Sequence, residues 1–253
     1  MRSVARISVT PVTGFALVHP DGVELTRGGV VGDRRFLLVD ADGNRLRSSL
    51  TAWPIVVSAK YDAVSESLEM RFPDGAVVED SALGSGPVQA WNFHYGLVGQ
   101  GRVVEGEWSD RLSALAGHDV RVVRPDAPEL VRGAPVTLVS RASVERLERE
   151  AGAEVDPRRF RMLFDLDGCG EHEEDTWDGG RLRVGDAVLR VGGPVPRCAV
   201  TTRHPDTGER DLDTLRLIKD DRGVRDRKAI DFGVYATVEE PGPVRVGDPV
   251  EPL

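Results

Sequence analysis

The stretch Phe36-Leu37-Leu38-Val39-Asp40-Ala41-Asp42-Gly43-Asn44 sets a short apolar run against an Asp-Gly turn signal, which reads as a strand meeting a tight reversal. The same pattern recurs outward in both directions. Residues 4–9, 55–60, 67–72, 120–123, 136–139, 160–166, 182–191, 232–238 and 244–246 form further short runs separated by turn residues, and each is read as a strand. Leu182-Arg183-Val184-Gly185-Asp186 and Val244-Arg245-Val246-Gly247-Asp248 look alike. They are strand-turn signals of the kind common in β barrels rather than a true repeat. Only three segments read as helices. Residues 108–116 place Trp108, Leu112 and Leu115 on one side before Gly117, a left-handed stop. Residues 143–151 place Val144, Leu147 and Ala151 on one face, with Ser140 or Ser143 as N-cap and Gly152 as stop. A shorter helix covers residues 212–219. The expected fold class is mainly β with a few helices, an α+β chain.

At 253 residues the chain is long enough for one large domain or two intimately joined ones. It has no run of about 18 apolar residues that could span a bilayer. Met1 to Val9 lack the apolar core of about 7 to 15 residues found in a secretory signal, so a cytoplasmic setting is expected. A net charge of -9 argues against general nucleic-acid binding, since phosphate contacts need clustered Lys and Arg. Cys169 and Cys198 are too few for a four-cysteine zinc site or an iron-sulfur cluster. The acidic stretch from Gly170 to Asp175 reads as a solvated loop, whose carboxylates with His172 could in principle take a cation.

Chemistry concentrates in Pro194-Val195-Pro196-Arg197-Cys198-Ala199-Val200-Thr201-Thr202-Arg203-His204-Pro205-Asp206-Thr207-Gly208. Pro194 and Pro196 fix the backbone ahead of Cys198, and Arg197 beside it favours the thiolate, the form that attacks electrophiles and binds metals. The alternative is a thiol that merely fills space.

Arg197-Cys198 with Thr201-Thr202 and Pro205-Asp206-Thr207-Gly208, then Phe232-Gly233-Val234-Tyr235 and the closing residues from Gly242 to Val250, resemble the MOSC domain family. Gly32-Asp33-Arg34-Arg35-Phe36, residues 138–143, Arg159-Phe160-Arg161 and Trp177 match it as well. The resemblance covers nearly the whole chain and is similar to the mitochondrial amidoxime-reducing component and its bacterial relatives. It implies a β-barrel MOSC domain over residues 128–253, preceded by an intimately packed amino-terminal β-barrel domain over residues 1–127. It also implies a molybdenum-pterin cofactor, with Cys198 as the molybdenum ligand. A soft thiolate suits a sulfur-rich metal centre. Ser140, Ser143, Arg161, Arg197, Thr201, Thr202 and Tyr235 are the cofactor-binding candidates. Their alternatives are a helix cap for the serines, strand or core positions for Thr201, Thr202 and Tyr235, and an ordinary outward arginine at 161. His204 is either an exposed loop residue or a proton donor when an N–O bond breaks.

The chain departs from the family at four cofactor-facing positions. Thr13 and Gly14 stand where the family has lysine and serine, and Met162 and Leu163 where it has proline and asparagine. Arg47 replaces a further arginine only if its loop shifts. The function implied is reduction of an N-hydroxylated or otherwise N-oxygenated small molecule, with electrons from a separate flavin, haem or iron-sulfur protein, because the chain has no Gly-x-Gly-x-x-Gly fingerprint and too few cysteines for a cluster. The alternatives are a MOSC-like protein that has lost the pterin and uses Cys198 for metal-free chemistry or sulfur transfer, and a non-catalytic cofactor-binding module.

Overall fold

The computed structural model describes residues 1–92, 98–126 and 134–253, and the expected boundary at 127/128 lies outside the described residues. Strands run in chain order as β1 (Ser3–Ile7), β2 (Gly22–Thr26), β3 (Gly29–Val30), β4 (Leu37–Asp40), β5 (Ser58–Asp62), β6 (Ser67–Arg71), β7 (Val77–Ser81), β8 (Val88–Asn92) and β9 (Val98–Val104). They continue as β10 (Val120–Pro125), β11 (Val136–Ser140), β12 (Phe164–Asp167), β13 (Arg181–Val184), β14 (Ala187–Pro196), β15 (Asp231–Glu240), β16 (Gly242–Arg245) and β17 (Val250–Pro252). The helices are α1 (Trp108–Ala116), α2 (Arg141–Ala151) and α3 (Thr214–Arg222). The chain is mainly β with few helices, as its short apolar runs imply.

The largest sheet has the order β1-β12-β11-β15-β14-β13-β17. Its two edges come together: Val4 N–H donates to Asp248 O at 2.9 Å, and Val250 N–H donates to Arg2 O at 3.0 Å. The sheet is thereby a nearly closed barrel, which leaves few unpaired edge groups. Leu138, Phe164, Leu166, Leu189 and Val234 fill it. The first strands of the chain belong to this body: β1 pairs with β12 and β2 with β16.

A second apolar core lies among the sheet β4-β10-β9-β8, the sheet β5-β6-β7 and α1. Phe15, Phe36, Phe72, Met70, Trp108 and Leu112 are among its large members. A third cluster packs Val144 and Leu147 of α2 and Ile218 of α3 against Phe160, Met162, Phe232 and Tyr235.

Local signals explain most element ends. Gly117 at φ 73 closes α1, with its N–H on Ser113 O. Ser140 caps α2, accepting from Ser143 N–H, and Gly152 at φ 63 ends it. Four readings change. The run 55–60 opens in a 3-10 turn over Trp53–Val56 and becomes a strand only from Ser58. Leu115 is 39% exposed and leaves the buried face of α1 to Trp108 and Leu112. The run 182–191 is a hairpin, β13 to β14, because Gly185 at φ 56 turns it. The run 160–166 becomes a strand only from Phe164. Ahead of it Asp156 accepts from Arg158 N–H, Pro157 opens a 3-10 turn over Pro157–Phe160, and Arg161 closes that turn at φ 52.

Candidate functional site

β14 delivers Arg197 and Cys198 through a broken register. Its pairing with β15 shifts between Val191, Pro194 and Pro196, and prolines, which lack an N–H, are tolerated in a sheet at such bulges. Arg197 N–H donates to Ile230 O at 2.7 Å, and Cys198, exposed, then opens a 3-10 turn over Ala199–Thr202. Thr201 holds that turn: its Oγ1 donates to Cys198 O at 3.1 Å and accepts from Thr214 Oγ1 of α3 at 2.7 Å. Thr201 and Thr214 are both fully buried. Thr202 Oγ1 donates to Ala199 O at 2.8 Å.

Two arginines lie within electrostatic reach of this thiol, and a third, Arg34, is bonded to one of them. Arg197 folds back so that Nη1 meets Met162 Sδ at 3.3 Å and Nη2 donates to Phe160 O, with the guanidinium 5.7 Å from the Phe160 ring centroid. Its Nε is buried with no partner among the described residues. Arg161, put into position by its left-handed backbone, donates from Nη2 to Phe15 O at 2.6 Å. Arg34, also left-handed at φ 49, donates from Nη2 to Arg161 O at 3.1 Å and from Nη1 to Asp33. Loss of hydration brings the Arg161 and Arg197 guanidinium pKa values down to about 10, and both sense Arg34 as a like charge. Interactions with Asp33 and then Cys198 counter part of that fall at Arg161, and interactions with Cys198 and Tyr235 do so at Arg197. The sequence candidates Cys198, Arg161, Arg197 and Tyr235 are thus brought into one electrostatic group.

The chain after Thr202 is a braced loop. Arg158 grips both oxygens of Asp206 at 2.7 and 2.8 Å, and Arg159 grips both oxygens of Asp211 at 2.7 Å each. Arg210 reaches Ser49 O at 3.0 Å, and Gly208, at φ 73, backs so closely on Ala52 O that a Cβ there would lie 2.7 Å from it. His204 is partly buried in this loop. Its N–H donates to Glu209 O at 2.7 Å, and its Nδ1 accepts from Asp206 N–H at 3.2 Å, which puts the proton of the neutral ring on Nε2. A small, solvent-open cleft of about 40 Å³ lies between this loop and the first half of the chain. Val200, Arg161, Arg203 and Asp206 are among its walls.

Ser140 and Ser143 sit elsewhere in the hydrogen-bond pattern. Both are fully buried: their hydroxyls contact each other at 2.6 Å, Ser140 donates to Gly170 O at 3.1 Å, and Ser143 donates to Glu174 at 3.0 Å while accepting from His172 N–H at 2.8 Å. None of these bonds reaches Cys198 or its arginines. Glu174 is fully buried, so the acidic stretch is not simply a solvated loop. Desolvation raises this carboxyl above the usual range, and bonds from the Glu174 and Ser140 backbones and the Ser143 side chain oppose the rise. Among the described residues no group of three His, Cys, Asp or Glu is arranged to hold a metal ion.

The four departures have structural counterparts. Met162 and Leu163 are core residues. Thr13 N–H donates to Phe36 O at 2.8 Å, and Gly14, at φ 96, faces Ser48. Arg47 is exposed on a turn whose carbonyl accepts from Leu50 and Thr51. Arg34 was not singled out from the sequence as a site residue, although the turn Gly32-Asp33-Arg34-Arg35 was its signal.

The MOSC domain family model matches residues 102–251. The chain belongs to the MOSC domain family. Mitochondrial amidoxime reducing component 2 of Bos taurus is 27% identical over 98% of this MOSC chain and 82% of its own length. Mitochondrial amidoxime-reducing component 1 of Homo sapiens is 26% identical over the same shares, 98% and 82%. Molybdenum cofactor sulfurase of Drosophila mojavensis is 27% identical over 91% of this chain and 31% of its own. Among solved structures, the YUAD protein of Bacillus subtilis aligns over 99% of this chain and 96% of its own, with 13% identity and a TM-score of 0.44. No helix among the described residues is long and apolar enough to cross a membrane.

Proposed function

We propose that this MOSC protein is a molybdenum-cofactor-dependent oxidoreductase of the cytoplasm that reduces an N-hydroxylated or otherwise N-oxygenated small molecule. The observation that carries the reading is the exposed Cys198 sulfur within electrostatic reach of Arg161 and Arg197, whose guanidinia are answered by backbone carbonyls and a thioether rather than by carboxylates. The donor set fits a molybdenum-pterin group: a soft, accessible sulfur for the metal and desolvated cations, with one orphaned Nε, for its anionic parts. The names of the relatives point the same way.

When bound, such a cofactor supplies two-electron redox chemistry. Cys198 would contribute its thiolate sulfur as a metal ligand, fixed in direction by the Thr201 and Thr214 hydroxyl chain. Arg161 and Arg197 would hold anionic groups, while Arg34, paired with Asp33, would support Arg161 through its backbone carbonyl. Tyr235 and Thr202 complete the wall as proposed contacts. Reduction takes two electrons and two protons to convert N–OH into N–H and water. His204, in the loop after Cys198 and with its proton on Nε2, would hand one proton to the departing oxygen. The electrons come from a separate flavin, haem or iron-sulfur protein.

A second reading, a pterin-free protein using Cys198 for metal-free or sulfur-transfer chemistry, is favoured by the commitment of Met162, Leu163, Ser140 and Ser143 to core and cap roles. Metal and pterin analysis of protein from a cofactor-competent host separates the two. Molybdenum and pterin in the wild type support the first, while their absence together with a persulfide or other covalent adduct on Cys198 by intact mass supports the second.

A further inference from the structure

We infer that the cleft beside Cys198 is a binding site for an oxyanion carried by the substrate, a carboxylate or a phosphate monoester, with Arg203 as its principal ligand and Arg161 at its inner wall. The inference rests on the reductase reading for the word substrate. The site itself is argued from charge and hydrogen bonding.

Four arginines line the cleft: Arg158, Arg159, Arg161 and Arg203. Two are spoken for. Arg158 is held by Asp156 and Asp206, and Arg159 by Asp211, all through paired hydrogen bonds. Asp206, the one acidic group in the wall, has both oxygens on Arg158 and is not free to serve the others. Arg161 and Arg203 differ in kind. Among the described residues neither has a carboxylate at ion-pair distance; Arg161 donates to Phe15 O and Arg203 to Gly208 O at 2.7 Å. Arg203 is only 8% exposed, and its Nε is buried without a partner. Burial lowers its pKa, and the like charge of Arg210 adds to that effect.

An uncompensated guanidinium nine-tenths out of water is costly, and an oxyanion from outside offsets that cost while satisfying the orphaned N–H. Guanidinium presents paired donors in a plane that suits carboxylate and phosphate. Val200, two residues after Cys198, lies in the same wall, so one small molecule can set its anion against Arg203 and its other end toward the thiol. The remaining wall, including Leu17, Ile55 and Pro205, is apolar, and the small volume suits the oxyanion group rather than the whole molecule.

Calorimetric titration with inorganic phosphate and with benzoate tests this on protein from a cofactor-deficient host and on protein from a cofactor-competent host, with molybdenum content measured for each. We expect both anions to bind both preparations, Arg203→Met to weaken binding about tenfold to hundredfold, and Arg203→Lys, which keeps the charge, to fall between. In turnover, an aryl amidoxime bearing a para-carboxylate should show a lower KM than its neutral parent, and Arg203→Met should narrow that gap. Binding confined to cofactor-free protein would assign the cleft to the cofactor's own phosphate and overturn the proposal. So would the absence of anion binding in both wild-type preparations, which does not depend on how any variant folds. If neither preparation holds molybdenum yet Arg203-dependent anion binding persists, the reductase reading fails and the oxyanion site stands.

Discussion

Replacing Thr201 by Val removes one hydroxyl and leaves a specific debt behind it. Thr201 Oγ1 is the acceptor for Thr214 Oγ1 at 2.7 Å, and both residues are fully buried. Thr201→Val therefore strands the Thr214 hydroxyl in an apolar site, whereas Cys198 O keeps the Thr201 N–H as a donor at 3.2 Å. Stranding one buried donor costs about 1–3 kcal/mol. Thr214→Val costs less, about 0.5–1.5 kcal/mol, because Thr201 Oγ1 still donates to Cys198 O. In the double variant no hydroxyl is stranded, so its loss should fall short of the sum of the singles by roughly 1 kcal/mol. Equilibrium urea denaturation of the four proteins reads this coupling directly. The expected melting shift for Thr201→Val is about 2–4 °C per kcal/mol at this size. Strict additivity, or a double variant worse than the sum, would refute the claim that this hydroxyl chain carries the Cys198 turn.

Gly233→Ala should destabilise by roughly 2–5 kcal/mol in the same assay: the residue sits at φ 74, and a Cβ would overlap Met162 and lie 2.6 Å from Leu138 O. Wild-type stability would mean that this strand is placed wrongly. Ser143→Ala should cost about 1–3 kcal/mol by depriving buried Glu174 of a donor, with molybdenum content unchanged; a selective loss of metal would make Ser143 a cofactor ligand after all. The Arg158 and Arg159 bonds hold the carboxyls of Asp206 and Asp211 below the usual aspartate range. Folded values below the unfolded one mean that this stabilisation is present above about pH 4 and is lost as the pH falls through the depressed values. Hydrogen-exchange protection in residues 203–211, taken relative to the intrinsic amide rate at each pH, should fall on acidification below about pH 4, and Asp211→Asn should reduce that dependence. Protection that stays constant over this range would show that the two ion pairs do not brace the loop.

The β-rich character was legible because it rests on local signals: short apolar runs ended by turn glycines such as Gly43 and Gly185, each at positive φ. The exposure of Cys198 was legible for a similar reason, since the flanking prolines mark the bulged end of β14. What escaped depended on contacts distant in sequence. Arg34 and Arg161 meet across 127 positions, and Arg203 is significant only because Arg158 and Arg159 take the nearby aspartates. Arg161 was read on a strand because residues 160–166 are largely apolar, although Asp156-Pro157 already carried the 3-10 signal that places it at φ 52. Ser140 and Ser143 offered two readings in sequence, and it took the buried Glu174, about 30 residues away, to show where their hydroxyls go.

The central claim is that Cys198 binds molybdenum. Molybdenum and pterin content, with the metal's sulfur coordination counted by X-ray absorption, should be compared for wild type and Cys198→Ser made in a cofactor-competent host. The account predicts stoichiometric metal and pterin in the wild type and either loss of metal or one fewer sulfur neighbour in the variant. A folded wild type without molybdenum, or a variant with unchanged metal content and sulfur count, would contradict it.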